Sequence, residues 1–260
     1  MTRNRVARTV SAATAASLLL VAAAPAADAP TLVGTLKASI SPNKAETPPK
    51  NGFGTPITLK IDTKFQQPAG TTFVLKSLNY QFPGGSTVST NGKLFPSCSA
   101  AKLQAARGVL KTCPKGSRIG SGVATGTAVE LGITSTGAVT LFNGPGGKSI
   151  TMNINVVRPA AINATFSAPL KKTKGKFGYK LTISVPKSLQ SILDGPIVVN
   201  RIQATTGAKL MINGKLRGYI EGHKCPKSGK APIRGNFFFE DALTKVDATS
   251  TTNAVVKCRP

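Results

Sequence analysis

The sequence predicts an all-β protein: a sandwich-like antiparallel domain with one or two short helices and two disulfides. Three features carry this reading: runs of strict apolar/polar alternation, Gly/Pro-rich punctuation between them, and four cysteines in a chain without tryptophan. Alternation is informative because successive strand side chains leave opposite faces, so a period of two marks a strand with one face buried.

Ile57, Leu59, Ile61 and Phe65 alternate with Thr58, Lys60, Asp62 and Lys64. Ile150, Met152, Ile154 and Val156 alternate with Thr151, Asn153 and Asn155, and Phe177, Tyr179, Leu181, Ile183 and Val185 make a third case. Weaker alternation predicts strands over 32–40, 73–82, 123–131, 138–142, 197–204 and 233–240. Turn chemistry separates them at Pro83-Gly84-Gly85, at 143–147 and at 171–176. Many short strands at this spacing point to a sandwich or barrel.

Two helices are predicted. Residues 99–107 begin with Ser99, an N-cap residue, and end before Gly108. Residues 186–193 begin with Pro186 and run into Asp194-Gly195, which fits one or two helical turns. Residues 41–56 hold Pro42, Pro48, Pro49 and Pro56 and read as a loop within one domain.

The N-terminus reads as a cleavable export signal. Arg3, Arg5 and Arg8 precede an uncharged stretch from Val10 to Ala24 centred on Leu18-Leu19-Leu20-Val21. That stretch is shorter than the ~20 apolar residues that span a bilayer. Ala24-Pro25-Ala26 predicts cleavage after Ala26, with 27–29 as a competing site, leaving residues 27–260 as a single secreted β domain. No later segment is apolar enough to span a membrane, so the expected location is extracellular or on the cell wall.

Charge is the dominant compositional feature. The chain has 34 Lys and Arg against 9 Asp and Glu, a net charge of +25; the leader holds three of the arginines, so its removal leaves +22. Such a surface attracts polyanions. Outside a cell these are teichoic-type wall polymers, acidic polysaccharides, anionic headgroups and released nucleic acid. Two clusters stand out: Lys171, Lys172, Lys174 and Lys176 in one predicted turn, and Lys224, Lys227, Lys230 and Arg234 in another. Either could hold phosphate or uronate groups by charge. Neither interleaves aromatics for base stacking, and no reading helix is present, so specific nucleic-acid binding is not expected. The competing reading is that the lysines only keep exposed strands soluble and unpaired.

Cys98, Cys113, Cys225 and Cys258 form no C-x2-C, and His223 is the sole histidine, so the cysteines read as disulfides rather than metal ligands. Proximity along the chain favours Cys98–Cys113 and Cys225–Cys258 among three possible connectivities. In the loop-entropy picture the shorter loop is worth ~3 kcal/mol and the longer somewhat under ~4.

Motifs that resemble catalytic or cofactor sites fail on spacing. Gly144 to Ser149 suggests a phosphate loop, but Phe142 stands where its first glycine belongs, and an alternating strand follows instead of a helix. It reads as a hairpin turn. Gly120, Gly122 and Gly126 miss the dinucleotide spacing and read as a bulge or close strand packing. Glu240 and Asp241 are adjacent on a strand and so face opposite ways, which is wrong for a cooperating acid–base pair. Glu221 and His223 could share a face, but two ligands make a poor zinc site. No serine sits in a Gly-x-Ser-x-Gly elbow. The expectation is a non-catalytic module with no cofactor that associates with anionic surface polymer. The alternatives are a purely structural or protein-contact domain, or an extracellular hydrolase using His223 or Glu221.

Residues 98–103, Cys-Ser-Ala-Ala-Lys-Leu, followed by 113–122, Cys-Pro-Lys-Gly-Ser-Arg-Ile-Gly-Ser-Gly, resemble a motif of a family of uncharacterised exported proteins from high-GC Gram-positive bacteria. There, a short cysteine-started helix returns to a Cys-Pro-x-Gly-Ser-x-Ile/Val-Gly-x-Gly turn that enters a strand. Residues 218–225 and the segment on to Cys258 are similar to the family's second cysteine pair, although the tryptophan usual there is missing from Ala231-Pro232-Ile233-Arg234. The resemblance implies a β-rich secreted domain with disulfides Cys98–Cys113 and Cys225–Cys258, and no particular activity.

Overall fold

The structure, a computed structural model, describes residues 32–45, 54–88, 94–158 and 161–259. The predicted leader and the centre of the Pro-rich loop lie outside the described residues.

In chain order the strands are β1 (Val33–Ser41), β2 (Thr55–Gln66), β3 (Phe73–Pro83), β4 (Ser86–Val88), β5 (Arg118–Ala128), β6 (Ile133–Asn143), β7 (Ser149–Val156), β8 (Ile162–Lys172), β9 (Phe177–Ser184), β10 (Ser191–Ile192), β11 (Gly195–Thr206), β12 (Lys209–Ile212), β13 (Lys215–Gly218), β14 (Ile220–Gly222), β15 (Lys230–Asp241) and β16 (Asp247–Lys257). Among the described residues one α-helix, α1 (Ala100–Ala105), precedes β5. The fold is all-β, as the alternation predicts.

Two layers form from one hydrogen-bonded path. The first sheet runs β1-β2-β11-β5-β6-β7-β8 and the second β8-β9-β3-β15-β16, all antiparallel. β8 belongs to both: Ile162 to Pro169 pair with β7, and Leu170 to Lys172 pair with β9. Pro169 sits at this corner, where a missing ladder donor is tolerated. The layers meet again at the far edges, where a Cβ on Gly34 of β1 would lie 3.1 Å from Ser250 Oγ of β16.

The core lies between the layers. Phe237 of β15 meets Phe65 of β2 edge-on at 4.8 Å and Tyr80 of β3 at 6.0 Å. Thr63 of β2 and Tyr80 share a buried hydrogen bond of 2.7 Å that ties the layers together. Burial pushes the Tyr80 phenol up, so it stays protonated.

The nine predicted strands are present, with shifted ends; the one predicted over 123–131 is β5, which starts and finishes earlier. β8 and β16 are the long strands the prediction lacks, beside the short β4, β10, β12, β13 and β14. The turn predicted over 171–176 is corrected: Lys171 and Lys172 are strand residues, and the turn begins at Thr173. Ser99 caps α1 by accepting from the Lys102 N–H at 3.1 Å. The second predicted helix is only a single 3-10 turn, Lys187–Leu189. The chain after it forms β10, because Leu193 and Asp194 take positive φ in a tight turn that returns to β11. Pro145–Gly147 is a 3-10 turn linking β6 to β7, the hairpin expected there. Cβ atoms on Gly120 and Gly122 would overlap carbonyl oxygens of Thr205 and Gln203 on β11, so these glycines serve close strand approach.

Both disulfides join the pairs that chain proximity favoured. Cys98–Cys113 closes the excursion that carries α1, and Cys225–Cys258 ties the loop before β15 to the end of β16. Replacing Cys225 and Cys258 with serine is expected to cost about 3 kcal/mol, lowering the melting temperature by about 6–12 °C for a domain of this size. Calorimetry of the variant beside the oxidised protein checks this.

Candidate anion-binding face

The two predicted basic clusters lie in different parts of the sequence, and strand order brings them together. β8, β9, β3, β15 and β16 are consecutive in the second sheet, and their register places Lys171, Lys180, Gln81, Arg234 and Asn253 as successive cross-strand partners. In β9, β3 and β15 the inward neighbours Tyr179, Tyr80 and Ile233 are buried, so this row lies on the outer face. Cross-strand Cβ atoms sit roughly 5 Å apart, which makes Lys171, Lys180 and Arg234 a continuous polar and cationic stripe. Arg234 Nε donates to Asn253 Oδ1 at 3.2 Å, which orients the guanidinium along the sheet.

Phe177 joins the clusters directly. The Arg234 guanidinium carbon lies 5.3 Å from its ring centroid and Lys176 Nζ 6.0 Å. The alternating pattern counts Phe177 among the inward residues of β9. A bulge overturns that: Phe82 pairs with Tyr179 and Pro83 with Phe177, leaving Gly178 without an opposite residue, so the ring comes out beneath the cations.

The turn from Pro83 to Ser86 anchors the backbones of both clusters. Gly84 N donates to Lys176 O at 3.3 Å, and Gly85 O accepts from Lys224 N at 3.0 Å. Gly85 has a φ of +83°, and a Cβ there would overlap the Lys224 carbonyl, so no other residue fits. Cys225, bonded to Cys258, fixes the same loop from its other side.

Not every predicted cation joins the stripe. Lys172 is paired with inward-facing Tyr179 and leaves on the other face from Lys171. Lys174 and Lys227 stay exposed in their turns. Lys230 lies across from Lys257 at the start of β15. Lys180 and Lys257 were not singled out in the sequence: Lys180 is one polar member of an alternating strand, and Lys257 lies in a strand the pattern does not reveal. Lys171 opposite Lys180 and Lys230 opposite Lys257 are like-charge pairs, which work against sheet stability.

Four of the described acidic groups are committed elsewhere. Glu221 of β14 is buried and accepts from Arg217 Nε at 2.7 Å and Nη2 at 3.2 Å, and from the Gly218 N–H at 3.2 Å. His223 Nε2 lies 2.6 Å from Thr87 Oγ1, so Glu221 and His223 make separate attachments. Glu240 pairs with Lys76 at 3.2 Å, while Asp241 on the other face accepts from the N–H groups of Leu243 and Thr244. Asp62 holds Arg201 through two hydrogen bonds. Among the described residues no three His, Cys, Asp or Glu side chains gather as metal ligands.

The Arg201 hydrogen bond, with that residue's charge behind it, holds the Asp62 carboxyl below its usual range; the Thr244 backbone N–H does the same for Asp241. A carboxyl depressed in the folded state stabilises it above its unfolded pKa of about 3.9, and the gain disappears as pH falls through the folded value. The melting temperature is therefore expected to hold level from about pH 7 to 5 and to fall below about 4. Asp62→Asn with Asp241→Asn should flatten that acid limb in a melting series across pH.

Comparison with family models, with curated proteins and with solved structures returns no match. The functional reading therefore rests on this chain's own chemistry.

Proposed function

We propose that the protein is an exported, non-catalytic module that associates with an anionic surface polymer through the outer face of its second sheet. The observation that carries the proposal is the convergence of the two basic clusters: Lys171, Lys180 and Arg234 in one cross-strand row, with Lys176 and Arg234 on the same aromatic ring. A polymer presents phosphate or carboxylate at intervals, and a row of cations along successive strands meets several at once. Two disulfides suit an oxidising extracellular setting, and among the described residues no helix is long and apolar enough to cross a membrane. The leader-like N-terminus and the resemblance of the two cysteine segments to exported β-rich proteins support the same compartment. The like-charge cross-strand pairs favour binding over mere solubility, since scattered lysines would keep the protein soluble without that cost.

The test is retention of the oxidised protein on immobilised polyphosphate across a salt series. The triple variant Lys171→Gln, Lys180→Gln, Arg234→Gln is compared with a charge-matched triple, Lys102→Gln, Lys111→Gln, Lys115→Gln. The face-directed variant should elute at clearly lower salt than the matched control. Equal elution would mean that net charge alone does the binding and would defeat the proposal.

A further inference from the structure

Beneath the basic end, the two layers do not fill the space between them. With no tryptophan available, aliphatic side chains and single aromatics leave an apolar chamber of about 90 Å³ walled by residues such as Ile57, Leu59, Phe82, Ile220 and Ile233. Lys44 and Lys224 line it while remaining exposed, so they stand at its mouth, beside Gly84 and Gly85 of the turn that holds both basic clusters. Tyr219 is part of the wall, and its hydroxyl is buried with no hydrogen-bond partner. A buried, unpaired hydroxyl is costly in a folded protein and calls for an explanation. Burial keeps the phenol protonated, a donor that finds no acceptor in this wall.

We infer that this chamber is a binding site for an anionic amphiphile, taking the end of one apolar chain between the sheets while the lysines at the mouth hold its charged head. The inference rests on the reading of this end as an anion site and adds a second component to it. The chamber is smaller than the roughly 150 Å³ cavity that encloses benzene, so it takes part of a chain, not a whole lipid. A second apolar chamber, of about 130 Å³, lies elsewhere between the sheets around Ala124, Met152 and Phe166, and no charged residue lines it. Charge at the mouth is what selects the first.

The experiment is calorimetric titration of the oxidised protein with octyl phosphate, octanol and inorganic phosphate. Octyl phosphate is expected to bind one per chain and at least about tenfold more tightly than either other compound, because burying two or three methylenes suffices for that factor. Ala231→Leu fills the charged-mouth chamber from β15 and should remove the advantage over inorganic phosphate. Ala124→Leu fills the other chamber and should leave it. Should Ala231→Leu fail to fold, Ala45→Leu fills the same chamber from the loop after β1. Octyl phosphate binding no better than inorganic phosphate, or losing affinity equally in both chamber variants, would overturn the inference. Retention on polyphosphate is measured in parallel: if it persists while the chain effect is missing, only the chamber assignment fails. If retention is itself absent, the anion face fails with it.

Discussion

Glu221→Ala is expected to cost about 3 kcal/mol of folding free energy, a drop of about 6–12 °C in melting temperature. Glu221 is the residue that a hydrolase reading would most readily recruit, since it lies two positions from His223. Its surroundings assign it another task. Its side chain is 5% exposed, and its two oxygens accept from Arg217 Nε and Nη2 while one also takes the Gly218 N–H. These bonds clamp the end of β13 to β14, the short strand that lies between β2 and β4. Truncation removes a bidentate, charge-assisted pair and takes the carboxylate away from a guanidinium that is itself only 12% exposed. His223→Ala, which gives up a single bond to Thr87, should cost far less. Thermal denaturation of both variants decides the point. An unchanged melting temperature for Glu221→Ala, with loss of some hydrolytic activity, would reverse the assignment.

The second large effect is on binding. Each cation close to an anionic surface contributes ~1 kcal/mol at physiological salt. Removing Lys171, Lys180 and Arg234 together is therefore expected to weaken polymer binding by roughly a hundredfold. The same substitutions should not destabilise the fold. They relieve the repulsion between Lys171 and Lys180, which face each other across β8 and β9, and this offsets the loss of Arg234's exposed hydrogen bond to Asn253 and its contact with Phe177. The predicted signature is a large loss of affinity with a level or slightly raised melting temperature, as expected where a site holds charges that the fold would do better without. A melting temperature that falls together with affinity would instead make these residues part of the scaffold.

The layers of this protein were legible where inward residues are large. β2, β7 and β9 alternate Ile, Leu, Phe or Tyr with polar residues, and the hydrophobic period marks them without ambiguity. β8 was not, because its buried positions include Ala164 and Ala168 and its corner is Pro169, residues that signal a loop more than a strand. β16 was hidden for the same reason: Asp247 to Asn253 is mostly Thr, Ser and Asp, and only Ala254 and Val256 become buried. The helix expected after Pro186 gave way to β10, because a turn with Leu193 and Asp194 at positive φ lets the segment pair with β11.

For the binding face, the residue types were visible and their meeting was not. Lys171 and Arg234 become neighbours only through the strand order β8-β9-β3-β15, which a local pattern does not encode. The Gly178 bulge, which turns Phe177 outward, depends likewise on pairing with Phe82 and Pro83. Disulfide pairing was accessible because each bond joins cysteines that are close in the chain.

Whether the converged basic face grips an anionic polymer is decided by binding the oxidised protein to purified cell walls across a salt series, with and without their anionic polymers. Tight binding is expected, falling steeply with salt, disappearing when the polymers are stripped, and lost in the Lys171, Lys180 and Arg234 triple variant. Binding that survives stripping, or walls ignored at physiological salt, would contradict it and leave the charge as a property of the surface alone.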